Sequence, residues 1–141
     1  MIVLDTNIIS EMMKPVPNPN VQMWLNKQVI ETLYLSSVSI AELRFGIGIL
    51  VDGRKKQALT NMVEQIIKIF DQRILGFDLV AAEYYAELAV GARTAGKGFP
   101  TPDGYIAAIT SCHGFMIATR DTAPFLAAGL KVINPFDENL N

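Results

Sequence analysis

Short apolar runs alternate along the chain with longer segments in which apolar residues recur at helical spacing. The short runs span residues 2–4, 33–35, 74–77, 116–118 and 132–133. Helical spacing is found between them in two sets, first Ile40, Leu43, Ile47 and Leu50, and then Leu59, Met62, Val63, Ile66 and Phe70. Strands that alternate with helices are typical of βαβ units, so the pattern predicts an α/β fold around a parallel sheet.

Two turn-rich segments interrupt this pattern. Residues 14–20 contain three prolines and separate a short helix after Asp5 from a helix over residues 21–26, whose Trp24 we assign to the core. Residues 95–101 contain Gly96, Gly98 and Pro100 and form a second predicted surface loop. This loop leads into a predicted helix over residues 102–112.

Composition narrows the class of protein. With 141 residues, of which 50% are hydrophobic and 18% charged, the chain predicts one globular domain over residues 1–141. We expect a cytoplasmic protein without membrane contact, because no signal-like or bilayer-spanning segment is found in the sequence. A single cysteine and a single histidine exclude an intramolecular disulfide and a cysteine-rich or multi-histidine metal site. The net charge of −2 provides no general attraction to nucleic acid.

Four acidic residues are placed where ligands gather in such a fold. Asp5 ends the first strand, and Asp121 follows a predicted strand over residues 116–119. Asp103 lies in the first turn of the helix that begins at residue 102, and we place Glu42 in the first turn of the helix after residues 33–35. Since ligands of parallel sheets bind beyond the carboxyl ends of the strands, all four side chains could share one edge.

Each acid also has a purely structural interpretation. Glu42 completes a possible capping box with Ser39, and Asp103 complements the dipole of its helix. Asp5 and Asp121 could each be a helix N-cap. Asp78 is a further acid of this kind, to which we assign only the N-cap role. Spacing alone therefore leaves the shared acidic site open.

A cluster of carboxylates would have a specific chemistry. Neighbouring carboxylates repel one another, so at neutral pH they bind a cation or become partly protonated. Oxygen ligands without histidine or cysteine favour Mg²⁺ or Mn²⁺. Such ions activate water for attack on a phosphodiester, and no nucleophilic side chain is then required.

Several segments resemble the PIN-domain ribonucleases of the VapC and FitB toxin group, in the order in which that family has them. They are Asp5-Thr6-Asn7 with the apolar residues around it, Ser39-Ile40-Ala41-Glu42-Leu43-Arg44-Phe45-Gly46, Asp103-Gly104-Tyr105-Ile106-Ala107-Ala108, Ala118-Thr119-Arg120-Asp121 and Asn134-Pro135-Phe136. The resemblance implies a three-layer α/β/α fold, metal-dependent cleavage of RNA, a protein antitoxin and a homodimer.

The resemblance also implies roles for individual residues. By motif match, the metal-binding acids of the family correspond to Asp5, Glu42 and Asp103. Asp121 corresponds to a fourth acid, which would contact the metal directly or through water. Thr6 and Thr119 could add hydroxyl contacts to the same site. Arg44 and Arg120 could contact RNA phosphate or form structural ion pairs, and the basic residues 54–56 are either a solvated loop or a phosphate contact.

Further interpretations stay open at this point. Glu11 is expected to face solvent, and His113 to interact with the C-terminal end of its helix. For the homodimer, candidate surfaces are residues 12–25 and the helix after Arg54. One competing function is phosphoryl transfer by an aspartyl nucleophile. Such enzymes have a second aspartate two residues after the first, and Asn7 at that position argues against this function. The other is a PIN-fold regulatory partner without turnover.

Overall fold

The computed structural model describes residues 1–140, in which five parallel strands form one sheet. The strands are β1 (Ile2–Leu4), β2 (Leu33–Ser36), β3 (Ile74–Leu75), β4 (Met116–Ala118) and β5 (Val132–Ile133). The central strands β1, β2 and β4 are the most buried, as expected for a sheet that is covered on both faces. The parallel sheet that the alternation of apolar runs predicts is therefore confirmed.

Helices connect successive strands and cover the sheet. They are α1 (Thr6–Met12), α2 (Pro19–Asn26), α3 (Ser37–Gly48), α4 (Arg54–Ile69), α5 (Leu79–Thr94), α6 (Thr101–Cys112) and α7 (Thr122–Ala127), with single 3-10 turns at Ile30–Thr32 and Glu138–Leu140. No helix in the described part of the chain is long and apolar enough to cross a membrane. Trp24 is buried, as predicted.

The order of the strands places a switch point at the centre of the sheet. From edge to edge the order is β3, β2, β1, β4, β5, so the chain first builds outward on one side of β1 and later on the other. Leu4 pairs with Ala118, and the Asp5 amide donates to the Ala118 carbonyl at 2.9 Å. Crevices at such switch points are the usual ligand sites of open parallel sheets.

Two apolar clusters hold the helices against the sheet. The first packs α1 to α4 on β1 and β2 and includes Ile8, Trp24 and Leu35. The second joins α6 and α7 to β4 through Ile106, Ile117 and Phe125, all fully buried. The three-layer arrangement implied by the family resemblance is thus the observed one.

Two local expectations from the sequence are wrong. Helix α3 begins at Ser37, and its N-cap is Ser36, whose hydroxyl accepts from the Ser39 amide at 3.1 Å. Glu42 therefore lies in the second turn and forms no capping box with Ser39. The basic residues 54–56 are the first turn of α4 and not a loop, and Lys56 donates to the carbonyls of Gly48 and Leu50.

Candidate active site

The fold brings the four acids to one cavity at the carboxyl edge of the sheet. The cavity has a volume of about 330 Å³, and its acidic lining residues include Asp5, Glu42, Asp103 and Asp121. They come from four separate parts of the chain, after β1, on α3, at the start of α6 and after β4. The shared edge that the spacing left open is therefore present in the structure.

Asp5 is the most buried of the four acids, with 4% of its surface exposed. It is the N-cap of α1, and its Oδ1 accepts from the Thr6 amide at 2.7 Å. Its Oδ2 accepts from the Thr119 hydroxyl at 2.8 Å and from Asn7 Nδ2 at 3.3 Å. Both interpretations of Asp5, as a cap and as a site acid, are compatible with this geometry.

Thr119 links Asp5 to the segment that carries Asp121. The fully buried Thr119 hydroxyl donates to Asp5 and accepts from Asn7 Nδ2 and from the Asp121 amide, both at 3.1 Å. Asn7 in turn accepts from the Arg120 amide at 3.1 Å. Asp121 has the N-cap position of α7 but makes no capping bond, which leaves its carboxylate to the cavity.

Thr6 makes the corresponding link to α3. Its hydroxyl donates to Glu42 Oε1 at 2.8 Å and lies 2.9 Å from the hydroxyl of the buried Ser39. The two threonine hydroxyls thus contact site carboxylates, as the resemblance suggested. Sequence reasoning missed Asn7 and Ser39 as positioning residues, although both belong to the quoted motifs.

Asp103 reaches the cavity because α6 begins there, and close packing fixes that helix. It lies in the first turn of α6, as predicted. The neighbouring Gly104 is buried, and a Cβ atom at that position would lie 2.8 Å from Tyr85 Cε2 on α5 and 3.1 Å from Phe99 Cδ1. Glycine therefore permits the close contact between α5 and α6 that holds the start of α6 in place.

Burial and repulsion from neighbouring carboxylates make ionisation of Asp5 and Asp103 unfavourable. Burial raises the pKa of Asp5 to about 6, with additional repulsion from Asp103 and Glu42, although hydrogen bonds from Thr119 and Thr6 act in the opposite direction. The pKa of Asp103 is also raised, first by burial and then by repulsion from Glu42 and Asp121. A cation at this position would relieve both effects.

Basic side chains at the cavity are few. Lys14 and Arg120 line it, and the Arg120 guanidinium lies 5.1 Å from the centre of the Phe136 ring. Arg44 lies outside this cavity and forms an exposed ion pair with Glu64 at 2.8 Å, so its ion-pair interpretation is the one confirmed. Within residues 1–140, Arg120 forms no comparable pair with an acid.

Glu11 is a fifth acid of the cavity, and the expectation that it faces solvent is wrong. Only 6% of its surface is exposed, because α1 turns this side chain inward from the end of the helix. It lines the same cavity as Asp5 and lies beside Lys14. The helical position of Glu11, six residues after Asp5, is compatible with either face, so the sequence alone did not decide it.

The donor set fits a hard divalent ion. It consists of carboxylate and hydroxyl oxygens, and no histidine or cysteine lines the cavity. Within residues 1–140 no three carboxylate, imidazole or thiol groups are already gathered closely enough to hold a metal ion together. Direct coordination of one ion by three of these acids would therefore require their carboxylates to move closer together.

A second cavity lies elsewhere and has a different character. It has a volume of about 650 Å³ and is lined mainly by apolar residues of the end of α5, residues 95–100 and α7, together with Glu87 and Lys97. None of the four site acids lines it. Glu87 is the one carboxylate in its lining, so this larger cavity lacks the set of oxygen ligands that a hard divalent ion requires.

Comparisons with known proteins identify the family to which this fold belongs. A model of the PIN domain family matches residues 2–131. The chain is 49% identical over 138 residues to the VapC ribonuclease Y4jK of Sinorhizobium fredii, which covers 97% of this chain and 99% of the relative. It is 45% identical over 139 residues to the toxin FitB of Neisseria gonorrhoeae, which covers 98% and 100%.

A solved structure supports the same assignment. The structure of FitAB bound to an IR36 DNA fragment has a TM-score of 0.92 and 45% sequence identity, and the match covers 97% of this chain and 96% of the other. The α/β fold with an acidic cavity at its switch point is therefore that of a known class. The chain belongs to the PIN-domain family and, within it, to the group of VapC and FitB toxins.

Proposed function

We propose that this protein is a metal-dependent endoribonuclease and the toxin of a type II toxin–antitoxin module. The observation that carries the proposal is the convergence of Asp5, Glu42, Asp103 and Asp121 on one cavity, where hydroxyl groups fix two of them. The similarity to a VapC ribonuclease over 97% of the chain supports RNA as the substrate class.

The four acids would hold the cation, with Asp121 acting directly or through a water. A bound Mg²⁺ or Mn²⁺ supplies activation of water and neutralisation of charge on the phosphodiester. Thr119 and Thr6 orient the Asp5 and Glu42 carboxylates so that these need not rearrange when the substrate binds. Burial of Asp5 strengthens its attraction for a cation, because the local dielectric is low.

The alternative of a covalent side-chain nucleophile has little support. The one cysteine and the one histidine of the sequence are Cys112 and His113, at the opposite end of α6 from Asp103. Nine residues of helix separate Cys112 from Asp103, which is about 13 Å along the axis. Asp5 as a nucleophile would lack the neighbouring acid of phosphoryl-transfer enzymes, because Asn7 is in that position and is bonded to Asp5.

Arg120 is the first candidate for a contact to the RNA backbone. It is exposed at the cavity, and its guanidinium lies over the Phe136 ring, which limits its conformations. Its backbone amide is held by Asn7. A guanidinium held in this way can bind a phosphate by two parallel hydrogen bonds.

A cognate antitoxin would hold the enzyme inactive, and the surface beside the acids suits it. An apolar groove of about 260 Å³ shares Thr6, Ser10 and Glu42 with the acidic cavity and continues over Leu43, Ile47 and Leu59. We infer that an amphipathic helix of the antitoxin lies in this groove and that a basic side chain beyond it pairs with the acids. Metal binding and inhibition by the antitoxin would then exclude each other. We place both in the cytoplasm, where RNA is available.

Cleavage of a labelled single-stranded RNA by the purified protein tests the function. We expect cleavage with Mg²⁺ or Mn²⁺ and none with a chelator. Asp103→Asn should lower the rate by at least about 100-fold, because it removes one ligand charge from the cation site. Addition of the antitoxin should abolish cleavage by the wild-type protein.

Asp71→Asn is the matched control, since Asp71 is exposed just beyond α4 and outside the cavity. It removes the same charge and should leave the rate unchanged. Circular dichroism establishes that both variants are folded. Cleavage in the presence of chelator, or equal rates for the two variants, would exclude the proposed site.

A further inference from the structure

A buried acid and a largely exposed lysine form an ion pair at the acidic cavity, and the proposed function leaves both without a role. The Glu11 side chain is 8% exposed, the Lys14 side chain is 58% exposed, and Lys14 Nζ lies 2.7 Å from Glu11 Oε2. Both residues line the cavity that contains Asp5, Glu42 and Asp103. The pair therefore lies where a substrate of the four acids would bind.

Stability gives a poor account of this pair. An ion pair three residues apart with an exposed lysine contributes little to folding, whereas burial of a carboxylate carries a large desolvation cost. The Glu11 Oε2 atom is buried and has no hydrogen bond of good geometry within the described residues, despite the nearby ammonium. A leucine or methionine at position 11 would satisfy packing at lower cost, so the pair has to be explained by its position at the cavity.

The structure fixes the lysine rather than leaving it free. The Lys14 amide donates to the Glu11 carbonyl at 3.2 Å, and the following Pro15 restricts the backbone of Lys14. At its other end the ammonium is attracted to the Glu11 carboxylate. An ammonium has three donors, so contact with Glu11 leaves two for a ligand.

We propose that Lys14 binds a backbone phosphate of the RNA next to the bond that the acids cut, and that Glu11 is the positioning residue that holds Lys14 at the cavity. The inference rests on the proposed function and extends it to a substrate contact. A chain with a net charge of −2 has no general attraction for RNA, so cations at the site itself must provide the attraction. Lys14 is one of two such residues in the lining, with Arg120.

Binding of a labelled single-stranded RNA in Mg²⁺, measured by fluorescence anisotropy at several salt concentrations, tests the proposal. The Asp103→Asn background slows cleavage by at least about 100-fold, so that the RNA stays largely intact during the measurement. Lys14→Gln in that background should weaken binding roughly fivefold or more and lower the slope of log affinity against log salt by about 0.7, the value for one phosphate contact to a single strand. Lys14→Arg should restore both quantities.

Lys68→Gln is the matched control, because Lys68 is an exposed lysine of α4 outside the cavity, and it should change neither affinity nor slope. Glu11→Gln retains Lys14 but removes the carboxylate that holds its ammonium at the cavity. RNA affinity should therefore fall about two- to threefold, with no change in the slope of log affinity against log salt. If Glu11 had only a structural role, Glu11→Gln would lower the melting temperature and leave RNA affinity unchanged.

The outcomes separate this inference from the proposed function. Equal affinities and slopes for Lys14→Gln and Lys68→Gln would overturn the inference, while RNA cleavage by the wild-type protein would keep the function intact. The same affinity loss in Lys14→Arg as in Lys14→Gln would also overturn it, since the charge would then not matter. A wild-type protein that neither binds nor cleaves RNA would refute both.

Discussion

Asp5 combines deep burial with three neighbouring acids, and its ionisation therefore opposes folding when no cation is present. Its pKa is raised to about 6 from 3.8, mainly by burial. The native state consequently binds a proton more tightly than the unfolded chain does between these two values. Stability should fall as the pH rises from about 4 to about 6 and remain low above that range.

We expect Asp5→Asn to reduce this pH dependence in chelator, and the part that arises from the raised pKa of Asp103 should remain. The gain in the free energy of unfolding at pH 7.5 is at most about 3 kcal/mol, the equivalent of the full shift in the pKa of Asp5. The introduced side-chain amide can still accept from the Thr6 backbone amide, but its NH₂ group takes the place of the oxygen that accepts from Thr119 and Asn7, so the gain should stay below this limit. Urea unfolding at pH 4, 5, 6 and 7.5 measures the effect.

Asp71→Asn serves again as the control, because it removes an exposed charge outside the cavity. Its curve of stability against pH should follow that of the wild-type protein. Added Mg²⁺ should stabilise the wild-type protein more than Asp5→Asn, because a cation favours the ionised carboxylate. If the free energy of unfolding depended on pH in the same way for Asp5→Asn and the wild-type protein in chelator, ionisation of Asp5 would not be what lowers the stability.

The contact between α5 and α6 sets the position of Asp103, and Gly104 is its narrowest point. A Cβ atom at Gly104 would meet Tyr85 Cε2 at 2.8 Å, a distance at which something must shift. We expect Gly104→Ala to cost roughly 1–3 kcal/mol by overpacking, less up to about 1 kcal/mol gained in helix propensity. The displaced α6 should also lower the rate of RNA cleavage, because Asp103 directly precedes the substituted residue.

Gly91→Ala on α5 is the comparison for that variant. A Cβ atom there has no neighbour within 4 Å, so the change should be neutral or stabilising by up to about 1 kcal/mol. Urea unfolding and the RNA cleavage assay measure both variants. A Gly104→Ala protein as stable and as active as Gly91→Ala would show that α5 and α6 can accommodate the added Cβ atom without displacing Asp103.

The strands and the positions of Asp5, Asp103 and Asp121 could be predicted because they depend on local signals. Short apolar runs mark the strands, and an acid directly after a strand or after Pro102 lies at an element boundary that the neighbouring residues define. Helix α5 was not identified from the sequence. Its apolar residues follow no single narrow stripe, because one side packs on α6 and the other carries exposed Leu79, Val80 and Val90.

The errors at Glu42 and Glu11 have a different cause. Ser36, Ser37 and Ser39 can each cap a helix, and the choice of Ser36 moves Glu42 into the second turn, where Thr6 contacts it across the fold. The inward direction of Glu11 depends on how α1 packs over the sheet. Neither fact is encoded within a few residues of the position concerned, since both follow from tertiary contacts.

At the scale of the whole molecule, exposed apolar side chains lie at and just beyond the end of α3, at Phe45, Ile49 and Val51, and also along α5. Its outward side chains include Leu79, Val80, Tyr84 and Val90, of which Leu79 is 76% exposed and Val90 64%. The outward face of α4, one of the two dimer surfaces expected from the sequence, is mostly polar although Met62 and Ile69 interrupt it. A helix that is apolar on both sides is usually covered on both sides.

We therefore predict a homodimer in which α5 of one copy packs against α5 of another. Val80→Lys with Val90→Lys should convert it to a monomer, because two ammonium groups would be buried against their symmetry mates. Met62→Lys with Ile69→Lys on α4 is the matched pair and should leave the dimer intact. Sedimentation equilibrium at micromolar concentration without antitoxin measures the mass, and circular dichroism confirms the fold of each variant. A monomeric wild-type protein would refute the dimer, and dissociation by the α4 pair alone would move the interface to α4, as the sequence first suggested.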